Sequence, residues 1–133
     1  MAQGRAYDGA MPELVLVVED NVQNARLTCD VLELAGMRTL SAATAAQALE
    51  LARDHRPDVV LMDLRLPDLD GVEAARLLAG DARTARIRVI ALTALSLDDP
   101  TGWCRKAGFA GYIEKPIDVR ELPAQVRQLC AAR

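Results

Sequence analysis

Aromatic residues are nearly missing from this 133-residue chain: one tryptophan, two tyrosines and one phenylalanine, 3% of the whole. Any core must therefore be built from Val, Leu, Ile and Ala, which the 51% hydrophobic content supplies for a single domain. An excess of positive charge is also missing. The formal net charge is −3, which argues against a nucleic-acid surface, normally basic. No apolar run approaches the ~20 residues of a membrane span. The opening MAQGRAYDGAMPE lacks the apolar stretch of a secretory signal. These absences predict a cytoplasmic protein with a short flexible tail over residues 1–12 and one domain over 13–133. Cysteine is sparse as well. Cys29, Cys104 and Cys130 are odd in number and form no CxxC, so neither a disulfide framework nor a zinc site is indicated, and inert thiols are expected.

What is present is alternation. Strand-like runs are followed by helix-like runs five times. Leu14–Val18 (LVLVV) is a continuous aliphatic strand. Residues 21–35 place Val22, Ala25, Cys29 and Leu32 on one helical face, with Gly36 as the stop. Arg38–Ala42 reads as a weak strand. Thr44 can cap a helix to about Asp54, with Ala45, Leu49 and Ala52 inward. Residues 59–62 are a strand, and Asp70-Gly71 opens a helix carrying Val72, Ala75, Leu78 and Ala79. Residues 87–92 and 110–113 are further strands. The fourth helix, within 96–108, is weakened by Gly102 and tolerates Pro100 only at its first position, after an Asp99 cap. Asp118 and Glu121 resemble a capping box for the last helix, although Pro123 suggests a later start.

Repeated βα units with apolar strands imply a parallel sheet covered by helices on both faces. Ligands of such sheets sit beyond the carboxyl ends of the strands. Glu19 and Asp20 follow the first strand, Asp63 the third, Thr93 the fourth, and Lys115-Pro116 the fifth. Singly, each has a plainer reading: helix-capping acids, a solvated loop acid, a strand-end hydroxyl, a surface lysine, a turn. Jointly they bring carboxylates, a hydroxyl and an ammonium to one edge. Clustered carboxylates repel, and a hard divalent cation such as Mg²⁺ removes that penalty while leaving positions open for phosphate oxygens. Asp63 could then act as a nucleophile that forms an aspartyl phosphate. Lys115 suits either a phosphate or the acid cluster, and Thr93 can donate to a phosphoryl oxygen.

The motifs VVEDN (17–21), LMDLRLPDLDG (61–71), ALTA (91–94) and GYIEKPID (111–118) resemble those of the receiver domains of two-component response regulators, and the likeness runs from about residue 13 to 131. It implies a flavodoxin-like α/β fold: a five-stranded parallel sheet of order 2-1-3-4-5 flanked by five helices. It implies that Asp63 is the phosphoacceptor, that Asp20 ligates Mg²⁺ directly and Glu19 directly or through water, and that Arg65 offers its backbone carbonyl to the metal. Thr93 and Lys115 would bind phosphoryl oxygens, the Lys115–Pro116 peptide would be cis, and Tyr112 would be the aromatic that switches with Thr93. The implied donor is a sensor histidine kinase or a histidine phosphotransfer protein.

Other positions are more individual. Leu95, two residues after Thr93, cannot hydrogen-bond a hydrolysing water, which suggests a long-lived phosphorylated state. Arg65 is a candidate to pair with Glu19 or Asp20 when metal is absent. Trp103 is either a partner contact or a core residue. His55 falls at the entry end of the third strand, far from Asp63, and reads as a surface residue. Lys115 is followed by 18 residues, room for one helix and no DNA-binding output, so signalling would pass through contacts with an effector protein, the chain being a monomer or weak dimer. A haloacid-dehalogenase-type hydrolase is disfavoured because Arg65 occupies the place of its second acid. A flavin binder is disfavoured because the EDNVQN loop lacks a phosphate cradle. A receiver-fold scaffold acting without phosphorylation, and a receiver cut from a hybrid kinase, remain alternatives.

Overall fold

The computed structural model describes residues 12–94 and 100–131. Five strands alternate with five helices: β1 (Leu14–Val18), α1 (Val22–Leu34), β2 (Arg38–Ala42), α2 (Ala45–His55), β3 (Val59–Asp63), α3 (Gly71–Ala79), β4 (Arg88–Thr93), α4 (Pro100–Ala107), β5 (Gly111–Glu114) and α5 (Leu122–Ala131). The strands pair in parallel in the order β2-β1-β3-β4-β5, as the resemblance implies. Residues 1–11 of the tail expected over 1–12 lie outside the described residues, as do Leu95 and Asp99.

Two-residue periodicity divides the strand side chains between two cores. Val15, Val17, Val59, Leu61, Ile90, Leu92 and Ile113 pack with Leu32 of α1 and with Leu122 and Val126 of α5. Leu16, Val18, Val60, Met62, Val89 and Ala91 face α2, α3 and α4 on the other side. The three central strands are buried on both faces, which is why they read as unbroken aliphatic runs. Small residues let the helices lie close to the sheet: Ala45, Ala48 and Ala52 from α2, and Ala74 and Ala75 from α3.

Several faces differ from the sequence expectation. In α1 the buried residues are Ala25, Thr28 and Leu32, while Val22, the first helical residue, is 76% exposed. In α2 Ala48 is buried along with Ala45 and Ala52, and Leu49 is half-buried against the same core. Ala79 of α3 faces solvent. Asp118 does not cap α5. Its carboxylate accepts the Arg120 amide at 2.9 Å, and its carbonyl accepts Glu121 and Leu122, making a separate turn. The helix then starts at Leu122, which leaves Pro123 in the first turn, where no amide donor is needed. Pro100 likewise occupies the first position of α4. No disulfide joins the cysteines; Cys104 is buried and the other two are half-buried, with burial pushing the Cys29 and Cys104 thiols up. Among the described residues, no helix is long and apolar enough to cross a membrane.

Candidate phosphoacceptor and metal site

The parallel sheet delivers the strand ends to one edge. At the end of β1, the Glu19 amide donates to the Ala42 carbonyl at 3.0 Å, extending the ladder by one residue and turning the Glu19 side chain inward. Glu19 Oε2 accepts the Asn21 amide at 3.2 Å. Asn21 in turn caps α1 by accepting the Asn24 amide, so the acidic pair sits in a tight, pinned turn. Asp20 is exposed at the rim.

Asp63 closes β3 and is only 4% exposed. Its Oδ1 accepts the Arg65 amide at 2.9 Å, and its Oδ2 accepts Lys115 Nζ at 2.8 Å. Lys115 Nζ also lies 3.5 Å from Glu19 Oε1. Carboxylate oxygens of Glu19, Asp20 and Asp63 all fall within 4.8 Å of one another. The Lys115 amide donates to the Thr93 carbonyl at 2.8 Å, which seats the lysine beside the end of β4. Thr93 is buried, and it lines a cleft with Asp63, Ala94, Trp103 and Lys115. The Lys115–Pro116 peptide is cis.

The electrostatics follow from burial. Desolvation raises the Glu19 carboxyl above its ordinary value; the Asn21 amide pulls it back, Asp63 pushes it further up and Lys115 opposes. Burial works to lower the Lys115 ammonium, but its bond to Asp63 and the charges of Asp63 and Glu19 outweigh that, and the net direction is up. The lysine is therefore a fixed cation. One ammonium faces three acids, two of them nearly buried. That oxygen-rich, under-neutralised donor set fits a hard divalent cation of the Mg²⁺ kind.

The expected Arg65 pairing is not formed. Arg65 is exposed and makes no ion pair with Glu19 or Asp20; two residues past Asp63 the chain has already left the strand, and Lys115 holds that role instead. Arg65 faces Asp70 across an antiparallel bridge, closed by the Gly71 amide on the Leu64 carbonyl at 3.1 Å. Gly71 is required there, since a Cβ would lie 2.6 Å from the Asp63 carbonyl oxygen and 2.8 Å from Leu64 Cα. Tyr112 on β5 pairs in register with Ala91 and is half-buried against the α2–α4 core. Trp103 is also half-buried there, stacked on Phe109 with ring centroids 5.5 Å apart, so it is part of the domain's own packing. His55 is exposed at the end of α2. Sequence reasoning missed Asp68 as a structural residue. Its only signal was a second acid in the PDLDG loop, and its partners are 22 and 23 positions away.

Comparison with known proteins agrees with this geometry. The response regulator receiver domain family matches residues 15–127. The polar-differentiation response regulator DivK of Brucella anthropi is 41% identical over 109 residues, covering 82% of this chain and 89% of that protein. The receiver domain of sensor histidine kinase PA1611 from Pseudomonas aeruginosa, described with a magnesium ion coordinated in its active site cleft, is 34% identical. It has a TM-score of 0.80, covering 91% of this chain and 99% of that one. Chemotaxis response regulator CheY4 of Vibrio cholerae shares the fold with a TM-score of 0.83 at 22% identity, over 90% of this chain and 99% of that one. A family model that spans residues 15–127, and a relative 41% identical over 82% of the chain, settle the membership: this chain belongs to the response regulator receiver domain family.

Proposed function

We propose that this protein is a stand-alone response regulator that accepts a phosphoryl group on Asp63 from the phosphohistidine of a sensor kinase or a phosphotransfer protein in the cytoplasm. The observation that carries the reading is the Asp63 carboxylate itself: nearly buried, 2.8 Å from Lys115 Nζ, with two further carboxylates within 4.8 Å. A carboxylate oxygen of Asp63 attacks phosphorus, the bond from phosphorus to the donor imidazole nitrogen breaks, and its electron pair returns to that nitrogen. Lys115 holds a phosphoryl oxygen in place of its ion pair, and the Thr93 hydroxyl donates to another. Asp20, Glu19, Asp63 and the Arg65 carbonyl would hold Mg²⁺. Bound there, the ion supplies positive charge to the phosphoryl oxygens. Thr93 and Tyr112 would carry the change outward to an effector protein, with no DNA contact and no membrane contact involved.

The match to DivK over 89% of its own length supports a stand-alone regulator. The likeness to the PA1611 receiver supports a second reading, a receiver belonging to a hybrid kinase. Both place the phosphate on Asp63. Incubation with acetyl phosphate and Mg²⁺, followed by intact-mass spectrometry, should add one phosphoryl group to the wild type and none to Asp63→Ala. Uptake in the variant would place the phosphate on a residue other than Asp63, and none in the wild type would leave a scaffold that works without phosphorylation.

A further inference from the structure

Helix α2 begins with four amides to satisfy, and its own sequence satisfies only part of them. Thr44 caps it through the Gln47 amide at 3.1 Å, while the Gln47 side chain accepts the Ala43 amide at 3.0 Å and the Thr44 carbonyl accepts the Ala48 amide at 3.0 Å. The first two helical amides go elsewhere. Ala45 donates to Asp68 Oδ1 at 2.8 Å and Ala46 to Asp68 Oδ2 at 3.0 Å. Both oxygens of one carboxylate are thus engaged, which fixes its position and orientation, and an anion is favoured at a helix N-terminus. The Ala45 amide, and then the Ala46 amide, hold the Asp68 carboxyl below its ordinary value.

Asp68 belongs to the loop that leaves Asp63. The inner end of that loop is held by the Arg65 amide on Asp63, and its outer end by the Gly71 amide on Leu64 and by Asp70, which caps α3 through the Val72 amide at 2.7 Å. Those bonds stay within the loop and its flanking elements. The two bonds of Asp68 tie the middle of the loop to a different helix. We propose that Asp68 is a positioning residue: by clamping the loop to α2 it holds Arg65, and with it the metal-facing side of the Asp63 pocket, in place. This rests on the reading of Asp63 and the Arg65 carbonyl given above.

Two variants separate the clamp from helix stability. Asp68→Ala and Thr44→Ala each uncap the same helix, but only Asp68 stands on the loop. Mg²⁺ titration by calorimetry should show affinity about tenfold weaker in Asp68→Ala, the scale seen when a group supporting a metal ligand is removed. Amide exchange of Arg65 in metal-free protein should accelerate by about tenfold as the loop opens more often. Thr44→Ala should lose comparable thermal stability yet leave both readings within about twofold of wild type. Asp68→Asn removes the charge but keeps one acceptor, and should fall between wild type and Asp68→Ala in both. If Asp68→Ala does not fold, the comparison of Asp68→Asn with Thr44→Ala decides alone. Equal effects from Thr44→Ala and Asp68→Ala, unchanged behaviour of Asp68→Ala, or Mg²⁺ affinity as low in Asp68→Asn as in Asp68→Ala would each overturn the proposal. Wild-type protein that binds no Mg²⁺ would sink the metal-site reading instead, and Arg65 exchange would still decide the clamp.

Discussion

Replacing Lys115 with methionine removes the ammonium and keeps most of the side-chain volume. Lys115 Nζ lies 2.8 Å from Asp63 Oδ2 and 3.5 Å from Glu19 Oε1, with only 27% of the lysine side chain exposed. At an effective dielectric of about 20, unit charges at such separations attract by about 4–6 kcal/mol per pair before any desolvation is counted. Much of that gain offsets the cost of taking the ions out of water. Breaking a fully buried pair costs about 3–5 kcal/mol, because the remaining charge is stranded. Partial exposure of the lysine, and proton uptake by Glu19, bring the expectation for Lys115→Met to about 2–3 kcal/mol. For a domain of this size that lowers Tm by about 8–12 °C. Urea melts at pH 7 in EDTA should show it directly.

Adding Mg²⁺ sharpens the test. The stranded carboxylates form a more negative site in the variant, so the cation should bind it more tightly and stabilise it more than the wild type. A ligand at 100 times its Kd contributes about 2.7 kcal/mol, enough to recover most of the loss. A metal-free midpoint within about 0.5 kcal/mol of wild type, or a Mg²⁺ gain no larger than the wild type's, would refute the claim that Lys115 balances this cluster.

Gly71→Ala should cost about 2 kcal/mol in thermal melts, because the new Cβ meets backbone atoms of Asp63 and Leu64 that cannot rotate away; a Tm within 2 °C of wild type, with about 4 °C expected per kcal/mol, would mean the loop yields freely. The pH dependence has a definite sign in metal-free protein. Glu19 keeps its proton in the folded state to higher pH than its ordinary value of 4.5, so the folded state binds more protons in that window and stability falls as pH rises through it. Lys115 contributes below its ordinary value of 10.5, and that contribution is lost as pH rises through its higher folded value. Urea midpoints followed upward from pH 4.5 should therefore fall less steeply in Glu19→Gln than in wild type, and identical slopes would reject the assignment.

The edge of the sheet was legible because each central strand is an aliphatic run that ends abruptly at a polar residue, and a parallel sheet has only one place to put those ends. Glu19, Asp63 and Thr93 follow from that rule, and Lys115 from the end of the short edge strand β5 beside them. What failed depended on phase or on distance. Val22 shares the apolar spacing of α1 yet is exposed, while Ala25 three residues on is buried: spacing gives the stripe but not how far along the helix it is covered. Leu49 does pack on the core, as its spacing implied, but only half-buried, and the unforeseen Ala48 joins Ala45 and Ala52 as the fully buried residues where α2 approaches the sheet. Arg65 is adjacent to the acids in the text, while Lys115 is 52 positions from Asp63, yet it is the lysine that reaches the pocket. Asp68 was illegible for the same reason, because its partners lie on another helix.

That choice of cation matters for the chemistry. Three acids against one ammonium leave the pocket about two charges short of neutrality, the deficit a divalent ion fills. An acyl phosphate carries more negative charge than the carboxylate it replaces, so the proposed modification of Asp63 would enlarge the deficit and would draw Lys115 Nζ from the carboxylate toward the phosphoryl oxygens. The Lys115 amide is bonded to the Thr93 carbonyl, so the base of the lysine is anchored at the end of β4, beside the hydroxyl proposed for the phosphoryl group. With its base held by that backbone bond, Lys115 could pass from Asp63 to a phosphoryl oxygen by side-chain motion alone, so the proposed exchange asks no displacement of β4 or β5.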